Sequence, residues 1–231
     1  MVQLIVVLSL VLSALMAPVG AEDAPTSKPV VQTRESQAAT TPAMALDALK
    51  VGNARFVANA SKRRDWTAKV VATASGQYPF AAVLGCMDSR VPVEVVFDQG
   101  IGDLFAVRVA GNVVNADELG SLEYAVSVGT KLIVVLGHTA CGAVKGAMSD
   151  VKLGNLTSLL AKIRPAVEAA HCDGSQESSC VNKVAEENVR QSLKQIRDGS
   201  PYLAKHLNEG AVALVGAMYD IGNGQVTFLE N

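Results

Sequence analysis

Four short apolar runs constrain this chain more than any other feature, and two of them end in a glycine followed at once by a possible metal ligand. Phe80-Ala81-Ala82-Val83-Leu84 stops at Gly85 and is followed by Cys86; Leu132-Ile133-Val134-Val135-Leu136 stops at Gly137 and is followed by His138. The other two are Leu104 to Val109 and Ala211-Val212-Ala213-Leu214-Val215-Gly216. Runs this short, with no polar residue alternating, are expected of strands buried on both faces. Helical patterning separates them, over Glu118 to Val128 and again from about Leu156 to His206. Strands alternating with helices predict an α/β fold: a mostly parallel four-stranded sheet with helices on both faces. Gly222-Asn223-Gly224, followed by Val226-Thr227-Phe228, predicts a turn and an added edge strand.

The amino-terminal part is organised differently. No charged side chain precedes Glu22, and the apolar core from Leu4 to Leu15 is followed by Pro18, Gly20 and Ala21. That pattern predicts a secretory signal over residues 1–21, which makes the mature chain periplasmic or secreted. It is too short and too broken for an ordinary spanning helix, so membrane contact is expected only through this segment if it stays uncleaved. Residues 22–42, rich in Pro, Ser, Thr, Gln and Ala, read as a disordered tether. The folded domain is then assigned to residues 43–231. It opens with Met44, Leu46, Leu49, Val51, Phe56 and Val57 at roughly helical spacing, a stripe that calls for a partner surface. A formal net charge of -2 and 4% aromatic residues exclude an electrostatic or stacking footprint for nucleic acid.

Chemistry in an open parallel sheet sits beyond the carboxyl ends of the strands. There the sequence places Gly85-Cys86-Met87-Asp88-Ser89-Arg90 and Gly137-His138-Thr139-Ala140-Cys141-Gly142. A lone cysteine or histidine in such a loop is ordinarily structural. Cys86, His138 and Cys141 together form a Cys2His set suited to zinc, one ion per chain, with a fourth position left for water or a carboxylate. Asp88 is the nearest carboxylate, either as the fourth ligand or as an acceptor behind the ligands.

These two loops, the second running on to Ala143 and the first to Val91-Pro92, resemble the paired zinc motifs of the beta-class carbonic anhydrases. Gly52-Asn53-Ala54-Arg55-Phe56, the stretch from Phe97 to Phe105, and Ser121-Leu122-Glu123-Tyr124-Ala125 are similar to other parts of that family. The resemblance spans about residues 43 to 230. It implies reversible hydration of carbon dioxide to bicarbonate and a proton by zinc-bound hydroxide, in a homodimer or homotetramer. It also implies a dyad in which the Arg90 guanidinium holds the Asp88 carboxylate off the metal. Gln99 matches a position whose amide donates to substrate oxygen across a dimer interface, and Gly111 would let the backbone approach the site. The chain departs from the family in carrying Val109 after Arg108, so no catalytic role is assigned to that pair.

Two alternatives share the same zinc site: hydrolysis of carbon disulfide or carbonyl sulfide, and a non-catalytic zinc-stabilised binding module. The second cysteine pair, Cys172 and Cys180, flanks a polar loop. In an exported chain a disulfide would clip that loop; two free thiols, or a second metal site with His171 and His206, are the other readings.

Overall fold

A computed structural model describes residues 29–172 and 177–230. The expected signal segment, residues 1–21, lies outside the described residues. Five strands, β1 (Ala81–Gly85), β2 (Leu104–Arg108), β3 (Leu132–His138), β4 (Ala213–Tyr219) and β5 (Val226–Phe228), form one sheet in the order β2-β1-β3-β4-β5. The first four pair in parallel, and β5 runs antiparallel to β4 at the edge. This is the expected architecture, with strand boundaries moved by up to three residues, most of all in β4. β4 starts two residues later than its apolar run suggests and continues through Tyr219, because its pairing follows β3 as far as His138.

Every residue of β1 and β3 is buried, as unbroken apolar runs require. Alternate side chains serve the two faces. Val83, Val134 and Leu136 pack under α2 (Pro42–Val57) and α4 (Val93–Val96), whereas Leu84, Ile133 and Val135 pack under α5 (Ala116–Ser127), α9 (Ser178–Gly199) and α10 (Pro201–Asn208). The other helices are α1 (Arg34–Ala39), α3 (Trp66–Thr73), α6 (Gly142–Met148), α7 (Gly154–Ala161) and α8 (Arg164–Ala169).

α2 begins where its sequence allows, with Thr41 accepting the Met44 N–H and Pro42 in the first turn. Its inward face is narrower than the apolar stripe implied: Ala45, Leu49, Gly52 and Asn53 are buried, and Met44 and Val51 stay half exposed. Gly52 lies so close to α4 that a Cβ there would sit 1.8 Å from the Phe97 carbonyl oxygen. Next to it, Asn53 donates to the carbonyls of Val96 and Gly224 and accepts from the Val226 N–H, tying α2 to α4 and to the edge hairpin.

Part of the expected tether is ordered instead. α1 is closed by a Thr33–Ser36 capping box, and Gln37 is buried with its amide donating to the Pro79 carbonyl at 2.8 Å. One buried polar side chain, rather than an apolar stripe, fastens this segment. At the other end of the fold, Cys172 and Cys180 form a disulfide that joins the chain after α8 to the first turn of α9. Of the three readings of that pair, the disulfide is the one realised.

Candidate metal centre

The parallel register aligns Gly85 of β1 with Leu136 of β3, so both strands deliver their following residues to the same end of the sheet. Cys86 comes just after β1, His138 is the last residue of β3, and Cys141 caps α6. Between the last two, Ala140 takes a left-handed conformation at φ 53°, and its N–H donates to the Asn182 side chain at 2.9 Å. This turn brings the two Sγ atoms and a His138 ring nitrogen within 4.8 Å of one another. All three residues are buried.

His138 Nδ1 lies 2.9 Å from the Thr139 carbonyl oxygen. With the proton on Nδ1 donated there, the Nε2 lone pair points at the cysteines. Nε2 is fully buried, yet no hydrogen bond reaches it among the described residues. Buried polar atoms are normally satisfied, and a backbone carbonyl holding the opposite nitrogen is the usual support of a metal-ligating histidine. The donor set therefore fits a zinc ion, a borderline cation that favours sulfur and imidazole nitrogen.

The electrostatics agree. The Cys86 thiol is pushed down to about 4, chiefly by the hydrogen bond from the Cys141 thiol, against burial and with help from the amides of Gly111 and Asp88. Cys141 is pushed up by the same hydrogen bond and by burial. Apolar residues surround the pair, among them Val113, Val144 and Ile163.

Asp88 stands beside this group rather than in it. Arg90 takes both carboxylate oxygens, Nε to Oδ1 at 2.9 Å and Nη2 to Oδ2 at 2.7 Å, and its backbone N–H adds a third bond at 3.0 Å. These bonds hold the carboxyl well below the usual carboxylate range. Of the two places expected for Asp88, fourth ligand or acceptor behind the ligands, this structure has the carboxylate on the guanidinium and outside the group of three donors. The dyad itself is formed as expected.

Gly111 approaches the site, but through a ligand: its N–H donates to Cys86 Sγ at 3.3 Å. Gln99 is not brought to the cluster within one chain. Its amide donates to the Phe97 carbonyl, in a cavity shared with Arg55, Arg64, Lys69 and Asp98 that includes none of Cys86, Asp88, His138 or Cys141. Two supports escaped the sequence reading. Arg108, given no role, donates to the carbonyls of Cys86 and Asp88 at 3.1 and 2.6 Å and so braces the whole ligand loop. Asn182, Asn188 and Ser192 of α9 bind the backbones of Ala140, Gly111 and Asn112. A signal for the last two was present, since Asn188 and Ser192 occupy positions in the helix stripe that otherwise carries Val181, Val184, Ala185 and Ile196.

A sequence model of the carbonic anhydrase family matches residues 81–226. Among curated proteins, Carbonic anhydrase 2 of Mycobacterium tuberculosis is 37% identical over 199 residues, which is 83% of this chain and 95% of that protein. The carbonic anhydrase of Mycolicibacterium smegmatis is 38% identical over 192 residues, 80% of this chain and 92% of that protein. Among solved structures, a tetrameric beta-carbonic anhydrase of Sordaria macrospora superimposes with a TM-score of 0.65 at 29% identity, covering 80% of this chain and 96% of its own. A beta-carbonic anhydrase of Aspergillus fumigatus gives 0.66 at 30% identity, over 76% of this chain and 91% of its own.

Proposed function

Because the chain belongs to the carbonic anhydrase family, beta class, we propose that its Cys86, His138 and Cys141 hold one catalytic zinc ion. Like its relatives, the chain catalyses the reversible hydration of carbon dioxide to bicarbonate and a proton. Zinc in such a site would lower the pKa of water to about 7 and so make hydroxide available near neutral pH.

The protein's own groups do the rest. Asp88 Oδ2 lies 3.9 Å from His138 Nε2, at the edge of the donor group. There it would accept a hydrogen bond from a water or hydroxide and would orient that oxygen toward carbon dioxide. Arg90 keeps the carboxylate ionised and turned, and the Arg108 bonds to the carbonyls of Cys86 and Asp88 keep the loop from drifting. Burial of the three ligands excludes bulk water from their sulfur and nitrogen atoms.

The observation that carries this reading is the buried, unpartnered His138 Nε2 facing two cysteines. Stopped-flow hydration of carbon dioxide on protein with measured zinc, run across pH, tests it. Turnover proportional to zinc is expected. Negligible hydration by protein holding one zinc per chain, with sulfide released from carbon disulfide or carbonyl sulfide, overturns it.

The reading extends to place and assembly. The uncharged residues 1–21 support export, and a disulfide fits an oxidising compartment; cell fractionation tests this. Half-exposed Met44, Val51 and Val70 support association into a homodimer or homotetramer, in which Gln99 would serve a second copy's site. A monomer by light scattering at micromolar concentration overturns it.

A further inference from the structure

Gly111 gives the Cys86 sulfur its backbone hydrogen bond, yet nothing in a glycine enforces the conformation this needs. Its torsions are φ 69° and ψ 20°, and a Cβ at this position would lie 2.6 Å from Ile163 Cδ1. The left-handed backbone favours glycine here, with close packing adding to it, and glycine brings the widest torsional freedom of any residue. Inside the loop the Asn112 N–H closes a turn on the Val109 carbonyl at 3.0 Å, and the rest of the hold comes from outside. Asn188, buried in the middle of α9, donates from Nδ2 to the Gly111 carbonyl at 2.7 Å. One turn further along, Ser192 Oγ donates to the carbonyl of Asn112 at 3.0 Å. Two consecutive carbonyls of the loop are thus pinned to one helix, and the Gly111 N–H is left aimed at the sulfur.

We propose that Asn188 is a positioning residue for the metal-binding thiolate, acting through Gly111 to set how strongly Cys86 donates to the ion. The proposal rests on the zinc reading above. An N–H donating to a thiolate withdraws charge from sulfur, and partners of this kind behind the ligands commonly govern metal affinity. Without Asn188 the peptide after Gly111 keeps its Asn112 N–H bond to the Val109 carbonyl at 3.0 Å but loses its hold on α9, so Gly111 gains torsional room, the N–H···S bond weakens, and the sulfur becomes a more electron-rich donor in a looser loop.

The test uses the full-length protein loaded with cobalt(II), whose sulfur-to-metal charge-transfer band reports on the thiolate. Asn188→Leu should move that band to lower energy at one cobalt per chain. It should also weaken cobalt binding roughly 10- to 100-fold in competition with a chelator. Asn188→Asp, which keeps the shape and removes the donor amide, is the second variant should the leucine not fold, with the same shift expected. Ile196→Val, a core change on the same helix, controls for general loosening and should lower the melting temperature without moving the band. An unmoved band in both Asn188 variants overturns the proposal, as does an equal shift in Ile196→Val. A parent protein that takes up cobalt with no charge-transfer band instead overturns the zinc reading itself.

Discussion

Arg90 grips Asp88 with a two-pronged guanidinium contact while the same carboxylate lies 3.9 Å from His138. The carboxylate is thereby ionised, oriented and kept out of the ligand cluster. Arg90 is about half exposed, so one surface side chain governs a group at the mouth of a buried site.

Replacing Asp88 by Asn keeps the shape but removes the acceptor charge. Zinc per chain, measured by atomic emission, should stay near one, while turnover falls by about 10²-fold or more, the scale on which a positioned acid-base group contributes. Equal turnover in the two proteins would remove the dyad from the mechanism.

Metal removal should abolish activity reversibly. Chelation followed by dialysis is expected to give inactive protein that regains turnover with one added zinc per chain. His138→Ala should not hold stoichiometric zinc under the same dialysis, because the two remaining cysteines lose their nitrogen partner.

The Cys172–Cys180 bond closes a short loop at the head of α9. Replacing both cysteines by serine should lower unfolding free energy by about 2.5 kcal/mol on chain-entropy grounds, as read from denaturant titration. Thiol counting on unfolded, metal-free protein should find two groups, Cys86 and Cys141, and all four only after reduction.

Asp98 carries a buried double ion pair, with Arg55 and Arg64 both bonded to a carboxylate whose side chain is 1% exposed. Burial alone would raise this carboxyl, but hydrogen bonds from Arg64 and Arg55 and from the Lys62 N–H hold it below its ordinary value. Asp98→Ala leaves both guanidinium groups without this partner and should cost about 3 kcal/mol, the low end for a broken buried pair because Arg55 is 24% exposed. A carboxyl depressed by folding stabilises the native state fully above its unfolded value of about 3.9 and loses that contribution as pH falls through the folded value. The stability gap between parent and variant should therefore be constant from about pH 5 upward and close below about pH 4. A gap that widens in acid would show the pairing to be unimportant.

What the sequence made legible was whatever repeats locally. Continuous apolar runs announced β1 and β3 because both faces of a central parallel strand are dry, and the ligands sat where those runs stop. Arg34–Ala39 was illegible because a single amide, Gln37 on the Pro79 carbonyl, fastens it and a lone glutamine has no periodicity. Arg108 was passed over because its partners are backbone carbonyls, which every residue possesses and no pattern marks. Asn188 and Ser192 lay in plain view as polar breaks in an apolar stripe, but what they bind is set by how α9 lies across the loop at Gly111 and Asn112.

The pairing of Gly85 with Leu136 has one more consequence. Strands that are apolar on both faces do not punish a one-residue slip in the way a half-wet strand does, since oil meets oil in either alignment. Such a slip shifts one strand along the other by about 3.3 Å, whereas ligand distances tolerate only about 0.2 Å. An ion shared between the end of β1 and the end of β3 would thus act as an alignment gauge, rejecting near-miss sheets that hydrophobic packing alone would accept.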